Sequence, residues 1–528
     1  MTRLTLQDES RQPSRAVRQS EGSGMRGYQM PRQFRKASRM LVLIALSVGS
    51  FFGSFGVFPG VDQAALSQTN PYCQLSVEEI TQTSQLHQLA VQGNPEARQR
   101  YNAAISQHAE QLRACRSRTW PQSQAIWLRL YPCDALDGVL AEVLDRIVSR
   151  GYNEVYLEVF YNGQVLLPAA QNSTSWPSVV RVPGYESKDL LAEAVMLGRQ
   201  RGLKVYAWMF TMNYGFTYTQ RAETQQALAR NGSGHTSLTF RAPEADSSQV
   251  TTEEAFIDPY SPKAQQDYAS LLQAVLQRQP DGVLFDYVRY PKGTGSASVA
   301  SRVQDLWIYG PSAQQALYQR ALNQQGMDLI QRFLSQGYVS SADLNELDSR
   351  YPEDGAPLWQ GLNPVETSSA DYWQSELWRL SVAHAIQGVL DFLAKAVLPV
   401  QQRGLKAGAV FFPDGNQTVG VQGFDSRLQP WDRFPSTIEW HPMAYALCED
   451  ASCVAAQVQR VANQAPAGTH IQPAIAGTWG QTLYGHPPLE RQLQAIRQTS
   501  PQIQAVSHFA FSWQEPEFDR NRKFCQLR

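Results

Sequence analysis

Residues 281–291 read DGVLFDYVRYP, and this stretch decides the fold. The apolar run Val283-Leu284-Phe285 has the β-branched and aromatic content of a buried strand. It ends in Asp286, Tyr287, Arg289 and Tyr290, side chains that can bind or react, before Pro291 breaks it and a Gly/Ser-rich loop follows. Strands that end in such clusters share one site when they run parallel in a closed ring, because all their carboxyl ends open on one face. The flanking chain must then supply further strands separated by crossover helices.

It does so on both sides. Strands are predicted at 125–132 (AIWLRLYP), 154–161 (EVYLEVFY), 203–211 (LKVYAWMFT) and 282–290. Four more follow at 405–412 (LKAGAVFF), 437–445 (TIEWHPMAY), 470–476 (HIQPAIA) and 505–513 (AVSHFAFSW). Amphipathic helices are predicted between several of them, at 136–150, 188–201, 264–278 and 375–400. Eight strands alternating with helices predict an α/β protein, a (β/α)8 TIM barrel over residues 122–528. One connection is long: residues 292–371 form an insertion after strand 4, with a helical piece at 313–333. Insertions of this size sit over the active-site face and shape specificity.

Upstream of the barrel the chain changes character twice. Residues 1–39 hold nine Lys/Arg and three Asp/Glu, a net +6 that leaves −7 for the rest of a chain whose total is −1. A basic nucleic-acid surface is therefore not expected in the folded part, and the polar tail reads as disordered. Residues 40–58, MLVLIALSVGSFFGSFGVF, carry no charge and follow Arg32, Arg35, Lys36 and Arg39. That pattern, taken as 40–60, reads as a signal peptide or signal anchor with its positive flank in the cytoplasm. The body is then exported, periplasmic or extracellular, and the membrane is reached only through this segment. Residues 70–118 read as a helical hairpin: two Glu/Gln/Ala/Leu-rich runs are separated by Gln92-Gly93-Asn94-Pro95, a helix stop with Pro at the next first turn. Antiparallel helices bring their outer ends together, which makes Cys73 and Cys115 natural partners. Cys133 follows the first strand and Cys525 the last, neighbours in a closed barrel, while Cys448 and Cys453 bracket a rim loop. Six Cys without CxxC fit export and disulfides.

Chemistry concentrates at strand ends. Asp286 is the first catalytic candidate, a carboxylate between aromatic and cationic neighbours, with a structural capping Asp as the alternative. In EVYLEVFY the alternation turns Glu158 away from the helix-facing Val155, Leu157 and Val159. A charge in mid-strand needs a partner or a job. Arg129 on the adjacent strand supplies the partner, so an ion pair and a catalytic role both stand. Glu439 shares a face with His441 and forms a second candidate acid/base set; Asp258 and Glu515 are reserves. Aromatic side chains that can line a binding cleft fall at strand ends or just beyond: Trp208, Tyr214, Tyr290, Trp440, Tyr445, Trp479 and Trp513. Candidate substrate contacts are Arg129, Trp208, Tyr287, Arg289, Tyr290, Arg379, His441, Tyr445 and Trp513. Neither a zinc spacing nor HExxH occurs, and GxGxxG, P-loop and GxSxG motifs are missing, so no metal and no cofactor is expected.

Residues 188–208 (KDLLAEAVMLGRQRGLKVYAW) and 258–291, from Asp258-Pro259 to DGVLFDYVRYP, resemble the family-10-like glycosyl hydrolases, bacterial envelope barrel proteins distinct from the family 10 xylanases. Trp378-Arg379 and the Pro442–Tyr445 PMAY extend the similarity, which covers about 126–513. Two positions depart: Tyr287 stands where the family has an acidic residue, and Arg379-Leu380 replaces an Arg-Arg pair. The resemblance implies hydrolysis of a glycan, peptidoglycan strands foremost. Two carboxyl groups flanking the scissile bond are what that reaction requires. The expectation is an exported glycoside hydrolase acting on a polysaccharide of the cell envelope or its surroundings. A non-catalytic glycan-binding barrel and a structural envelope protein are the alternatives.

Overall fold

The computed structural model describes residues 72–240, 253–363 and 369–527. The basic tail at 1–39 and the apolar leader at 40–60 lie outside the described residues. The chain enters with two antiparallel helices, α1 (Val77–Val91) and α2 (Pro95–Arg116). Ser76 and Glu79 close a capping box on α1, and Asn94 caps α2 ahead of Pro95 at its first turn. Gly93 between them takes a left-handed φ of 92° that a side chain would resist.

The eight barrel strands follow: β1 (Ser123–Leu128), β2 (Glu154–Tyr161), β3 (Lys204–Phe210), β4 (Gly282–Asp286), β5 (Lys406–Phe411), β6 (Glu439–Ala444), β7 (Ala474–Ala476) and β8 (Ala505–Phe509). Each pairs in parallel with its sequence neighbours, and β1 also pairs with β8, which closes the ring. Crossovers run through α3 (Val139–Ser149), α4 (Leu190–Gln200), α5 (Pro262–Leu276), α9 (Ala370–Gln401), α10 (Ser452–Gln464) and α11 (Leu489–Thr499). From β5 to β6 the crossover is not an α-helix. The stretch is rich in Pro and Gly, and a single turn of 3-10 helix, Trp431–Arg433, covers the barrel with the fully buried Trp431. Among the described residues α9 alone is long and apolar enough to cross a membrane, but 61% of its most apolar window is buried against the protein.

Strand ends differ from the sequence reading where the polar cluster begins. β4 stops at Asp286, because Tyr287 turns into the left-handed region with φ 54°. The insertion holds three helices, not one piece at 313–333: α6 (Pro311–Tyr318), α7 (Gln324–Gln336) and α8 (Ser341–Arg350). The break comes at Asn323, whose side chain accepts from Gly326 N at 2.8 Å and starts α7 afresh. His384 of α9 ties the insertion down by taking Arg320 Nε on Nδ1 at 3.0 Å and giving Nε2–H to Ala313 O at 2.9 Å.

The hairpin packs outside the barrel near the amino ends of the strands. Arg116 donates to the carbonyls of Tyr72, Pro121 and Gly151. Asp145 of α3 accepts from Tyr101 at 2.6 Å and from Arg201 at 2.7 Å. All six cysteines are paired, as Cys73–Cys115, Cys133–Cys525 and Cys448–Cys453.

Candidate active site

Alternation along the strands decides which side chains enter the barrel. On β4 these are Gly282, Leu284 and Asp286; on β2, Glu154, Tyr156 and Glu158; on β3, Tyr206, Trp208 and Phe210. The lower interior is closed. A Cβ on Gly408 would meet His441 and Leu284 at 2.7 Å, and one on Gly282 would meet Tyr206 at 2.3 Å. Glycine is required at both positions because bulky partners fill the space.

Asp286 ends β4 at the open face and is 6% exposed. Its Oδ2 accepts from Trp208 Nε1 at 3.1 Å, and its Oδ1 accepts from Tyr287 N at 2.6 Å. The left-handed turn at Tyr287 accompanies this second bond, at a cost of about 1–2 kcal/mol for a bulky residue. Burial pushes the Asp286 carboxyl up to about 6, against the pull of the Tyr287 N–H, the Arg289 charge and the Trp208 N–H; Glu158 adds to the rise. Glu158, two strands away, is 1% exposed. It is held in a fork by Arg129, Nε on Oε2 and Nη2 on Oε1. Burial alone would lower the Arg129 charge state, but the Glu158 carboxylate outweighs it and holds that guanidinium above its ordinary range. Arg129 also lies 4.4 Å from the centre of the Tyr161 ring. Two carboxyl groups thus enter the barrel from β2 and β4 with different companions: a cation forks Glu158, while Asp286 is buried beside the Trp208 and Tyr287 N–H groups.

Aromatic groups wall this pair. Trp208 meets Trp127 edge to face at 4.7 Å, and Trp127 reaches Phe509 at 6.4 Å. Tyr445 packs on Phe509 at 5.7 Å, and its phenol is raised by burial first and by the Asp286 charge second. Beyond Phe509 the half-buried Trp513 leads out to Tyr484 at 5.6 Å, which is 68% exposed. Trp127, Tyr161, Phe509 and Tyr484 escape a sequence reading that looks for charge; the first three sit on predicted strands, which is the signal that was available.

Other candidates lie elsewhere. Glu439 opens β6 and belongs to the amino-terminal end of the barrel, where its neighbours are Tyr156, Tyr206, Lys406 and His470. His441 is fully buried in the layer above, edge to face with Tyr156 at 5.4 Å. In barrels of this kind the catalytic groups sit at the opposite, carboxyl-terminal face, and the structure places Glu439 and His441, 3.5 Å apart, away from Asp286. Tyr290 is also fully buried and donates to Ala385 O of α9, away from the cleft. Arg379 stands on the outer face of α9, 72% exposed, paired with Glu376. Trp440 and Tyr214 are core residues, and Trp479 turns outward onto Tyr72 and His508. Asp258 accepts from Tyr260 N and Ala313 N and so caps the insertion, while Glu515 binds Arg146 and Arg150 on the barrel's flank. Among the described residues no cluster of His, Cys, Asp and Glu is arranged to hold a metal ion.

Among functionally curated proteins none matches the chain. Of solved structures, the PgaB (BpsB) glycoside hydrolase domain from Bordetella bronchiseptica is similar over 77% of this chain and 99% of its own, with 15% identity and a TM-score of 0.45. A beta-galactosidase from Marinomonas ef1 is similar over 74% of this chain and 54% of its own, with 12% identity and a TM-score of 0.40. A GH18 chitinase from Pseudoalteromonas aurantia covers 74% of this chain and 94% of its own, with 11% identity and a TM-score of 0.33. In sequence, residues 134–321 match the family described as glycosyl hydrolase-like 10. That span contains β2, β3 and β4, and with them Glu158, Trp208, Asp286 and Arg289, so in the part of the barrel that carries Glu158 and Asp286 the chain resembles the glycosyl hydrolase-like 10 family.

Proposed function

We propose that the protein is an exported glycoside hydrolase that cleaves a polysaccharide, with glycan strands of peptidoglycan the first substrate to test. The observation that carries this reading is the pair of inward carboxyl groups at the open face, set in unlike surroundings. Unlike surroundings let two carboxyl groups take different parts in one reaction. With its carboxyl near 6, Asp286 keeps a proton at mildly acidic pH and can pass it to the glycosidic oxygen as that bond breaks. Glu158, oriented by Arg129, is the carboxylate left to stabilise the positive charge at the sugar carbon, to attack it, or to activate water. Trp208, Tyr445 and Phe509 offer the apolar faces on which pyranose C–H groups stack. Three disulfides support an oxidising, exported setting.

The test incubates wild type and Asp286→Asn with peptide-free peptidoglycan strands, intact sacculi and an α-glucan panel, and reads products by mass spectrometry. Fragments from wild type alone support the reading. Equal fragments from both proteins would remove Asp286 from the chemistry. A second reading, a glycan-binding barrel without turnover, is favoured by Tyr287 in place of an acidic residue and by the engagement of both Glu158 oxygens. Glycan binding by both proteins with no fragments from either would select it.

A further inference from the structure

Arg289 is the anomaly among the buried cations. It is 7% exposed, yet its one hydrogen bond among the described residues is from Nη1 to the backbone carbonyl of Tyr290 at 3.0 Å. Arg201, Arg427 and Arg522 are buried at least as deeply, and each grips a carboxylate. Arg116 instead fills its fork with three backbone carbonyls. A guanidinium has five N–H donors and keeps its charge at every working pH. Burying it without a partner is costly unless something anionic completes it.

Its position says where that anion comes from. The guanidinium lies 4.5 Å from the centre of the Tyr287 ring, 5.5 Å from that of Phe256 and 5.8 Å from that of Phe412. Its charge acts on Asp286. Glu254, the acid on the same side, is engaged by the Tyr287 hydroxyl at 3.0 Å. The three rings hold the flat cation at the mouth of the barrel beside the proposed acid, with a planar fork of unused donors. That fork matches a carboxylate in two-point contact.

We propose that Arg289 sets the specificity of the site by receiving a carboxylate on the sugar bound beside Asp286, so that the substrate is an anionic glycan. The inference rests on the site being a glycan site and names its substrate class. A lactyl ether and a uronic acid both present such a carboxylate. In an intact wall the lactyl carboxyl is tied to peptide as an amide, so a lactyl substrate would be a strand already freed of peptide by an amide-cleaving reaction.

The experiment offers full-length wild type, Arg289→Gln and Arg289→Lys three glycans: peptide-free peptidoglycan strands, the same strands with their carboxyls reduced to alcohols, and a polyuronate. Initial rates and, separately, calorimetric binding are read. Wild type should favour carboxylated over reduced strands by about 10- to 100-fold, the range of a charge-assisted hydrogen-bonded pair. In Arg289→Gln the ratio should fall close to one, and in Arg289→Lys it should be intermediate. A preference for the polyuronate over the unreduced strands would move the carboxylate from the ether to the ring. Equal handling of carboxylated and reduced strands by wild type, or an unchanged ratio in Arg289→Gln, overturns the inference even if hydrolysis stands. Carboxylate-selective binding that depends on Arg289 without any cleavage keeps the inference and overturns hydrolysis. Should Arg289→Gln fail to fold, the wild-type comparison of unreduced with reduced strands decides alone.

Discussion

Replacing Asp286 by Asn should change the sign of its effect on stability with pH. The carboxyl has an ordinary value of 3.8 and lies at about 6 in the folded protein, chiefly through burial. In the folded state the group therefore keeps a proton that the unfolded chain has already lost. Stability is highest below about pH 4, falls as pH rises through the window from 4 to 6, and stays low above it. The difference of about two pH units, at ~1.4 kcal/mol each, makes the penalty about 3 kcal/mol at pH 7. Asn escapes that penalty but has a cost of its own. If its oxygen keeps the Tyr287 N–H, its NH2 faces the Trp208 N–H and one bond is lost, about 1 kcal/mol. The balance is a variant less stable than wild type by ~1 kcal/mol near pH 4 and more stable by ~2 kcal/mol near pH 7. Thermal melts of both proteins from pH 3.5 to 8 should cross at pH ~4.5. Parallel curves would refute the reasoning, since they would mean that Asp286 ionises alike in the folded and unfolded chain. The same group should shape the rate: if Asp286 is the proton donor, wild-type kcat/KM should fall as pH rises past about 6, and Asp286→Asn should lack that limb.

Other outcomes follow from the same geometry. Arg129→Ala leaves Glu158, 1% exposed, without its cation, and should cost about 2–3 kcal/mol, less than for a fully buried pair because Arg129 is itself 36% exposed; chemical denaturation with Glu158→Gln alone and in combination measures how much of that loss is the unpaired charge. Glu439→Gln should leave kcat within about threefold of wild type, because the residue sits at the wrong end of the barrel for chemistry. Burial acts to raise its carboxyl, but His441, His470 and Lys406 together hold it below its ordinary value. Its contribution to stability is therefore present above the unfolded value and lost as pH falls, and Glu439→Gln should flatten the acid side of the melting profile. Opening Cys133–Cys525, which spans 392 residues, should destabilise by about 6 kcal/mol on the loop-closure argument, against about 2 for Cys448–Cys453, which spans 5; melts of the paired Cys→Ser variants read the difference.

Much of this protein was legible in its residues because barrels are built from local patterns. Alternation of apolar and polar positions placed Glu158 inward and Arg129 beside it, and the structure shows them joined. Eight strand patterns separated by helix patterns specified a closed parallel barrel, and the helix stop at Gly93-Asn94-Pro95 specified the hairpin. Local pattern, however, fixes which face a side chain takes and says little about its height in the barrel. Glu439 and His441 share the inward face with Asp286, yet β6 begins at Glu439, so they fall at the closed amino end, whereas Asp286 ends β4 at the open one. Nor does pattern govern residues after a strand ends. Trp479 turns outward to Tyr72, Tyr290 turns to α9, and Arg289 is caged by rings from three segments far apart in sequence. Those orientations follow from packing between distant parts of the chain. The sequence by itself determined the barrel and its inward carboxyl groups through periodicity, and only the tertiary structure decided which of them meet, because height and contact arise when the strands close into a ring.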